Sequence, residues 1–151
     1  MDQNHFLRKG QAAYVLVDDD EEERNQLRLA LERESVPLPI YEVGNGLELL
    51  DFLSLMPQNG PGIVRLLVVM DIQMPVLDGL QTVRKLRQHA LWEYISVLLI
   101  SDCAHPDTVE RAIDSGACGY MLKATTVEGY KGRLANFLPA LFDETLSRPF
   151  A

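Results

Sequence analysis

The sequence predicts an α/β fold, a doubly wound five-stranded parallel sheet in the order 2-1-3-4-5. Two observations carry this. Short apolar runs alternate strictly with amphipathic segments, five of each. The runs are apolar on both faces and rich in β-branched residues, as central parallel strands covered by helices require. Right-handed crossovers leave few strand orders, and the common one sets strands one and three side by side with the switch point between them.

The first run is Ala13-Tyr14-Val15-Leu16-Val17, ended by Asp18-Asp19-Asp20. The first helix opens on Glu21 to Arg24, where acidic residues suit the positive end of the helix dipole. Leu27, Ala30 and Leu31 give it a buried stripe. The weaker second run, Ile40 to Val43, ends at Gly44-Asn45-Gly46, and Asn45 is placed to cap a helix carrying Leu49, Leu50 and Leu53. Residues 54–65, SLMPQNGPGIVR, hold two Pro and two Gly and read as a long loop.

The third run, Arg65 to Met70, ends in Asp71, and Val83, Leu86 and Arg87 mark the helix that follows. The fourth, Ile95 to Ile100, ends in Ser101-Asp102. Its helix carries Val109, Ala112 and Ile113 and stops near Ser115-Gly116. The fifth, Cys118 to Leu122, ends in Lys123. Leu134, Phe137, Leu138, Leu141 and Phe142 form the last helical stripe, with Pro139 set to kink or break it. Core packing explains that stripe; a dimer or partner contact is the other reading.

The 151 residues fit one domain, 13–142, with a flexible N-terminal extension, 1–12, and a short tail, 143–151. The formal net charge of -8 disfavours non-specific binding to nucleic acid or anionic membrane. No run approaches the roughly 20 apolar residues of a membrane helix. Cys103 and Cys118 show no metal-type or disulfide spacing, so we expect reduced thiols and a cytoplasmic protein.

The chemistry is at the strand ends. In this order, Asp18 to Asp20, Asp71, Ser101 and Lys123 converge on one rim. Crowded carboxylates repel, and a hard divalent cation such as Mg²⁺ relieves that. Such a site suits phosphoryl transfer, in which catalysis is mostly positioning and electrostatics. Asp71 would be the nucleophile, Lys123 would pair with one phosphoryl oxygen and Ser101 would donate to another. Each residue alone has a plainer reading. Asp18 to Asp20, Asp71 and Ser101 are helix caps, Met74 to Gly79 a turn, and Lys123 a surface lysine. Those readings do not explain four chemical groups at four successive strand ends.

These residues resemble the receiver domain of two-component response regulators, over roughly residues 13–142. VLVDDD at 15–20 resembles the family's acidic pair, and VVMDIQMPVLDG at 68–79 its phosphoacceptor strand and loop. LLISD at 98–102 resembles the strand ending in Thr or Ser, and SGACGYMLKA at 115–124 the segment with the family's lysine.

The resemblance implies a flavodoxin-like receiver fold and a phosphoacceptor switch, not an enzyme. Asp71 would be phosphorylated by a histidine kinase or phosphotransfer protein. Asp19 and Asp71 would ligate Mg²⁺, Gln73 would give its backbone carbonyl, and Asp18 would act through water. Lys123 would bridge to the phosphoryl group. Ser101 and Tyr120 would switch the face made by the fourth helix, fifth strand and fifth helix. The receiver is expected to stand alone and to act through a downstream protein target or a self-dimer, without direct nucleic-acid or membrane binding.

One departure is Ala124, where the family usually has Pro after the lysine. A cis bond before a non-proline costs about 2.5–4 kcal/mol, so Lys123–Ala124 is expected trans. Three other readings stand beside it. A haloacid-dehalogenase-type phosphatase needs a second Asp where Gln73 stands. An FMN carrier needs a hydroxyl- and glycine-rich phosphate loop where Asp18 to Asp20 stand. A receiver-like adaptor that is never phosphorylated keeps the fold and discards the switch.

Overall fold

The computed structural model describes residues 12–33, 38–56, 65–93 and 95–138. The expectations for residues 1–11, for 57–64 of the long loop, for Pro139, Leu141 and Phe142, and for the tail lie outside these residues.

Five strands and five helices alternate: β1 (Ala12–Val17), α1 (Glu21–Glu32), β2 (Ile40–Val43), α2 (Gly46–Ser54), β3 (Arg65–Asp71), α3 (Gly79–Arg87), β4 (Ser96–Ser101), α4 (Pro106–Asp114), β5 (Gly119–Leu122) and α5 (Val127–Leu134). The sheet order is β2-β1-β3-β4-β5, all parallel. This is the order expected from the alternation, and the flavodoxin-like receiver arrangement that the resemblance implies.

The pleat sends alternate strand residues to opposite faces, and each face has its own helices. Ala13, Val15, Val17, Val68, Met70, Val97 and Leu99 pack with Leu49, Leu53, Val83 and Leu86 of α2 and α3, and with Ala112 of α4. Tyr14, Leu16, Val69, Leu98, Ile100 and Met121 pack with Leu27 and Leu31 of α1, and with Tyr130 and Leu134 of α5. Burying one such aliphatic side chain contributes roughly 1.5–3 kcal/mol.

Local chemistry fixes the helix starts. Asp20 caps α1 through the Glu22 amide, Asn45 caps α2 through Glu48, and Thr126 caps α5 through Gly129. Asp78 and Gln81 form a reciprocal capping box on α3. Gly116, at φ 101°, turns the chain after α4.

Two helix expectations need correction. Ile113 is not part of a buried stripe: it is 56% exposed, and only Ala112 of α4 is buried. Helix α4 lies over β5, a four-residue strand at the sheet edge, which covers only a narrow line of it. Helix α5 ends at Leu134, the first residue of the predicted stripe. Turn residues follow, the Phe137 amide donating to the Leu134 carbonyl. Leu138 is nonetheless buried with Leu134, and Phe137 packs beside them, so the described part of that stripe is core.

Candidate functional site

The register brings the strand ends together. Val17 lies beside Met70, so Asp18 follows β1 next to Asp71 on β3. Asp71 pairs with Ile100 and Ser101 with Leu122, which puts Ser101 and Lys123 on the same rim. The plainer cap readings fail for two of these residues. Asp78, not Asp71, caps α3, and His105, not Ser101, caps α4.

Asp71 is buried. Its Oδ1 accepts from the Gln73 amide at 3.1 Å and its Oδ2 from the Lys123 ammonium at 3.1 Å. Asp18 is also buried, and its Oδ1 accepts from the Asp20 amide at 2.9 Å. Its Oδ2 lies 3.6 Å from Lys123 Nζ and has no hydrogen-bond partner among the described residues. Asp19 is exposed at the mouth. Oxygen atoms of Asp18, Asp19 and Asp71 lie within 4.8 Å of one another. Three converging carboxylates with an orphaned buried oxygen make a donor set that suits a hard divalent cation.

The electrostatics fit this geometry. Burial pushes Asp18 up to about 6, assisted by the charge of Asp71 and opposed by the Asp20 amide and Lys123. Burial raises Asp71 as well, against the pull of Lys123. Burial disfavours the Lys123 ammonium, but its bond to Asp71 and the charges of Asp71, Asp18 and Glu23 outweigh this and raise its pKa. Lys123 is therefore a charged cation beside two buried carboxylates, Asp18 and Asp71, whose ionisation burial opposes.

Loop geometry holds the cluster. The Ile72 amide donates to Ile100 and the Gly79 amide to Ile72. A Cβ on Gly79 would sit 2.5 Å from the Asp71 carbonyl, so only glycine lets α3 begin so close to this strand end. Between them Val76 takes φ 71° in a three-residue turn closed by Leu77 donating to Pro75. This places Val76 at 81% exposure while Met74 and Leu77 go inward.

Ser101 is buried, and its Oγ accepts from the Cys103 amide at 3.1 Å. Tyr120 is half-buried, with its ring against the α2–α3–α4 core. Its hydroxyl is shielded and has no partner among the described residues. The Lys123–Ala124 peptide is trans, as expected without proline.

Three contacts had no reading in the sequence. Glu23, an acid in the first turn of α1, accepts from the Tyr130 hydroxyl of α5 at 2.8 Å and adds negative charge near Asp18 and Lys123. Arg24 donates to the Asp18 carbonyl. Arg133 of α5 donates through Nη1 to the carbonyls of Leu122, at 2.7 Å, and Lys123. A first-turn acid and a last-turn cation fit the helix dipole wherever they point, so only tertiary structure reveals these contacts.

The family model for the response regulator receiver domain matches residues 15–134. ExaE of Pseudomonas putida, a transcriptional activator protein, is 36% identical over 110 residues, covering 73% of this chain and 47% of that protein. The chain thus spans about half the length of that curated relative. Two solved structures share the fold. The Mn(2+)-bound response regulator Rcp1 has a TM-score of 0.69 at 17% identity, over 83% of this chain and 93% of that one. The phosphorylated cyanobacterial phytochrome response regulator RcpA has 0.72 at 18%, over 89% and 96%. With a family match over most of its length and this strand order, the chain belongs to the response regulator receiver domain family.

Proposed function

We propose that this domain is a phosphoacceptor switch that takes a phosphoryl group on Asp71, with Mg²⁺ bound, from a histidine kinase or phosphotransfer protein. The observation that carries the reading is the Asp18–Asp71–Lys123 cluster: two buried carboxylates, one with an unpartnered oxygen, against a single ammonium.

Transfer would form a bond from an Asp71 carboxylate oxygen to phosphorus and break the phosphorus–nitrogen bond of a phosphohistidine. The departing electron pair stays on the imidazole nitrogen, which takes a proton. Lys123 would exchange the Asp71 oxygen for a phosphoryl oxygen, keeping a charged partner throughout. The Ser101 oxygen already accepts from Cys103, so its hydroxyl proton is free to point at a second phosphoryl oxygen. Mg²⁺ held by Asp19, Asp71, the Gln73 carbonyl and, through water, Asp18 would neutralise the remaining charge. The gain of about 1.5–2 negative charges would shift a pre-existing equilibrium, read out at α4, β5 and α5 through Ser101 and Tyr120. A protein target or a second copy of the chain would read that face.

Incubation with a small acyl phosphate, with and without Mg²⁺, followed by intact mass, tests this. We expect a base-labile phosphoryl adduct that needs Mg²⁺ and is absent from Asp71→Asn. No adduct on the wild type, the outcome for a receiver-like adaptor, or an equal adduct on Asp71→Asn would overturn the proposal.

A further inference from the structure

We propose that Arg133 is a positioning residue for Lys123, fixing from α5 the loop that aims the ammonium at Asp71 and Asp18. The inference rests on the phosphoacceptor reading for its consequence, not for its geometry.

Lys123 follows the last residue of β5 and is itself outside the strand. Its amide donates to the Ser101 carbonyl at 2.9 Å, which ties one side of the residue to β4. Among the described residues the other side has no strand partner, and Ala124 imposes none of the φ restriction a proline would. Arg133 supplies the missing restraint. Its Nη1 bonds two successive carbonyls, those of Leu122 and Lys123, so the peptide planes on both sides of the Lys123 Cα have fixed directions.

Arg133 is itself anchored by α5. Leu134, the next residue, is fully buried, and Tyr130, three residues earlier, is fully buried and donates to Glu23 on α1. Gly129 lets the helix approach closely, since a Cβ there would lie 3.0 Å from the Ala124 Cβ. The restraint therefore runs from the α1–α5 packing through Arg133 to the Lys123 backbone. From there a flexible four-carbon stem needs a fixed root to hold Nζ 3.1 Å from one carboxylate and 3.6 Å from another. Among the described residues Arg133 makes no hydrogen bond or ion pair with Asp18, Asp19 or Asp71, so its role is confined to the lysine.

Two measurements test this on the full chain with Arg133→Met and Arg133→Lys. The first needs no phosphorylation. A brief pulse of an amine-acylating reagent, read by peptide mass, reports how well Lys123 is held, with Lys85 and Lys131 as exposed references. Arg133→Met should raise Lys123 labelling several-fold while both references stay constant, and Arg133→Lys should restore much of the protection. Unchanged Lys123 labelling in Arg133→Met would overturn the inference whatever the fate of the phosphoacceptor reading. The second is the rate of acyl-phosphate labelling of Asp71 at saturating Mg²⁺. Arg133→Met should slow it by roughly tenfold, because small misplacement of a charge-stabilising group is costly. Mg²⁺ affinity should stay within about twofold. The same substitution in a Lys123→Ala background should slow labelling no further. An equal loss in that background, or a parallel loss of Mg²⁺ affinity, assigns Arg133 a general structural role and sinks the proposal. A wild type that takes no phosphoryl group overturns the phosphoacceptor reading instead, and the lysine labelling still decides the role of Arg133.

Discussion

Helices α5 and α4 flank the same edge strand, yet they are held very differently. Helix α5 sinks Tyr130 and Leu134 into the core, bonds Glu23 of α1 through Tyr130, and reaches the Lys123 loop through Arg133. Helix α4 buries only Ala112, leaves Ile113 largely in solvent, and follows a loop whose first residues bond back to Ser101 and Cys103. The contrast suggests a division of labour. The α1–α5 side keeps the lysine in register. The α4 side, weakly covered and joined to Ser101, is the cheaper one to move.

Substitutions should break this contrast unevenly. Tyr130→Ala has the largest expected effect. It removes a fully buried aromatic and the partner of Glu23, and should cost about 4 kcal/mol in chemical denaturation. A cost near that of a surface change would show that α5 is not the anchored side. Tyr130→Phe keeps the ring and deletes only the bond to a charged group, so we expect about 1.5 kcal/mol. Burial and Glu23 both raise the Tyr130 hydroxyl, so it stays a donor throughout the neutral range.

The acidic rim at the ends of β1 and β3 should respond to pH. The folded-state pKa of Asp18, about 6, lies above its unfolded value, so ionising it opposes folding. Stability of the metal-free domain should therefore rise as pH falls through 6, by roughly 1 kcal/mol from Asp18 alone between about pH 7 and about pH 5. Asp71 shifts in the same direction and adds to this. With saturating Mg²⁺ the sign should reverse, since protons then compete with the metal for the same oxygens. Stability that falls with acid in the metal-free domain would contradict the crowding of these carboxylates.

The smallest effect belongs to α4. Ile113→Ala should change stability by less than about 0.5 kcal/mol, as for other exposed positions. Amide hydrogen exchange should be faster in α4 than in α5, and equal protection would erase the contrast.

Much of this architecture was legible in the sequence, for a local reason. An apolar run that stops at a carboxylate, a hydroxyl or an amine announces both the strand and what stands at its end, as at Val17-Asp18, Met70-Asp71, Ile100-Ser101 and Leu122-Lys123. Cap signals at Asn45 and Asp20 were equally local. Helical spacing says which residues share a face, not how much of the face is covered, and so it misread Ile113. The ties of Tyr130 to Glu23 and of Arg133 to Lys123 join side chains whose sequence context is ordinary. Proximity of α5 to α1 and to β5 creates them.

Among these crowded acids, Asp71 is the one proposed to accept the phosphoryl group. Borohydride reduction after incubation with acyl phosphate and Mg²⁺ turns a phosphorylated aspartate into homoserine, which peptide mass locates. Conversion is expected at Asp71 and at no other acid of the rim. Conversion at Asp18 or Asp19, or none at Asp71 while adduct forms elsewhere, would contradict it.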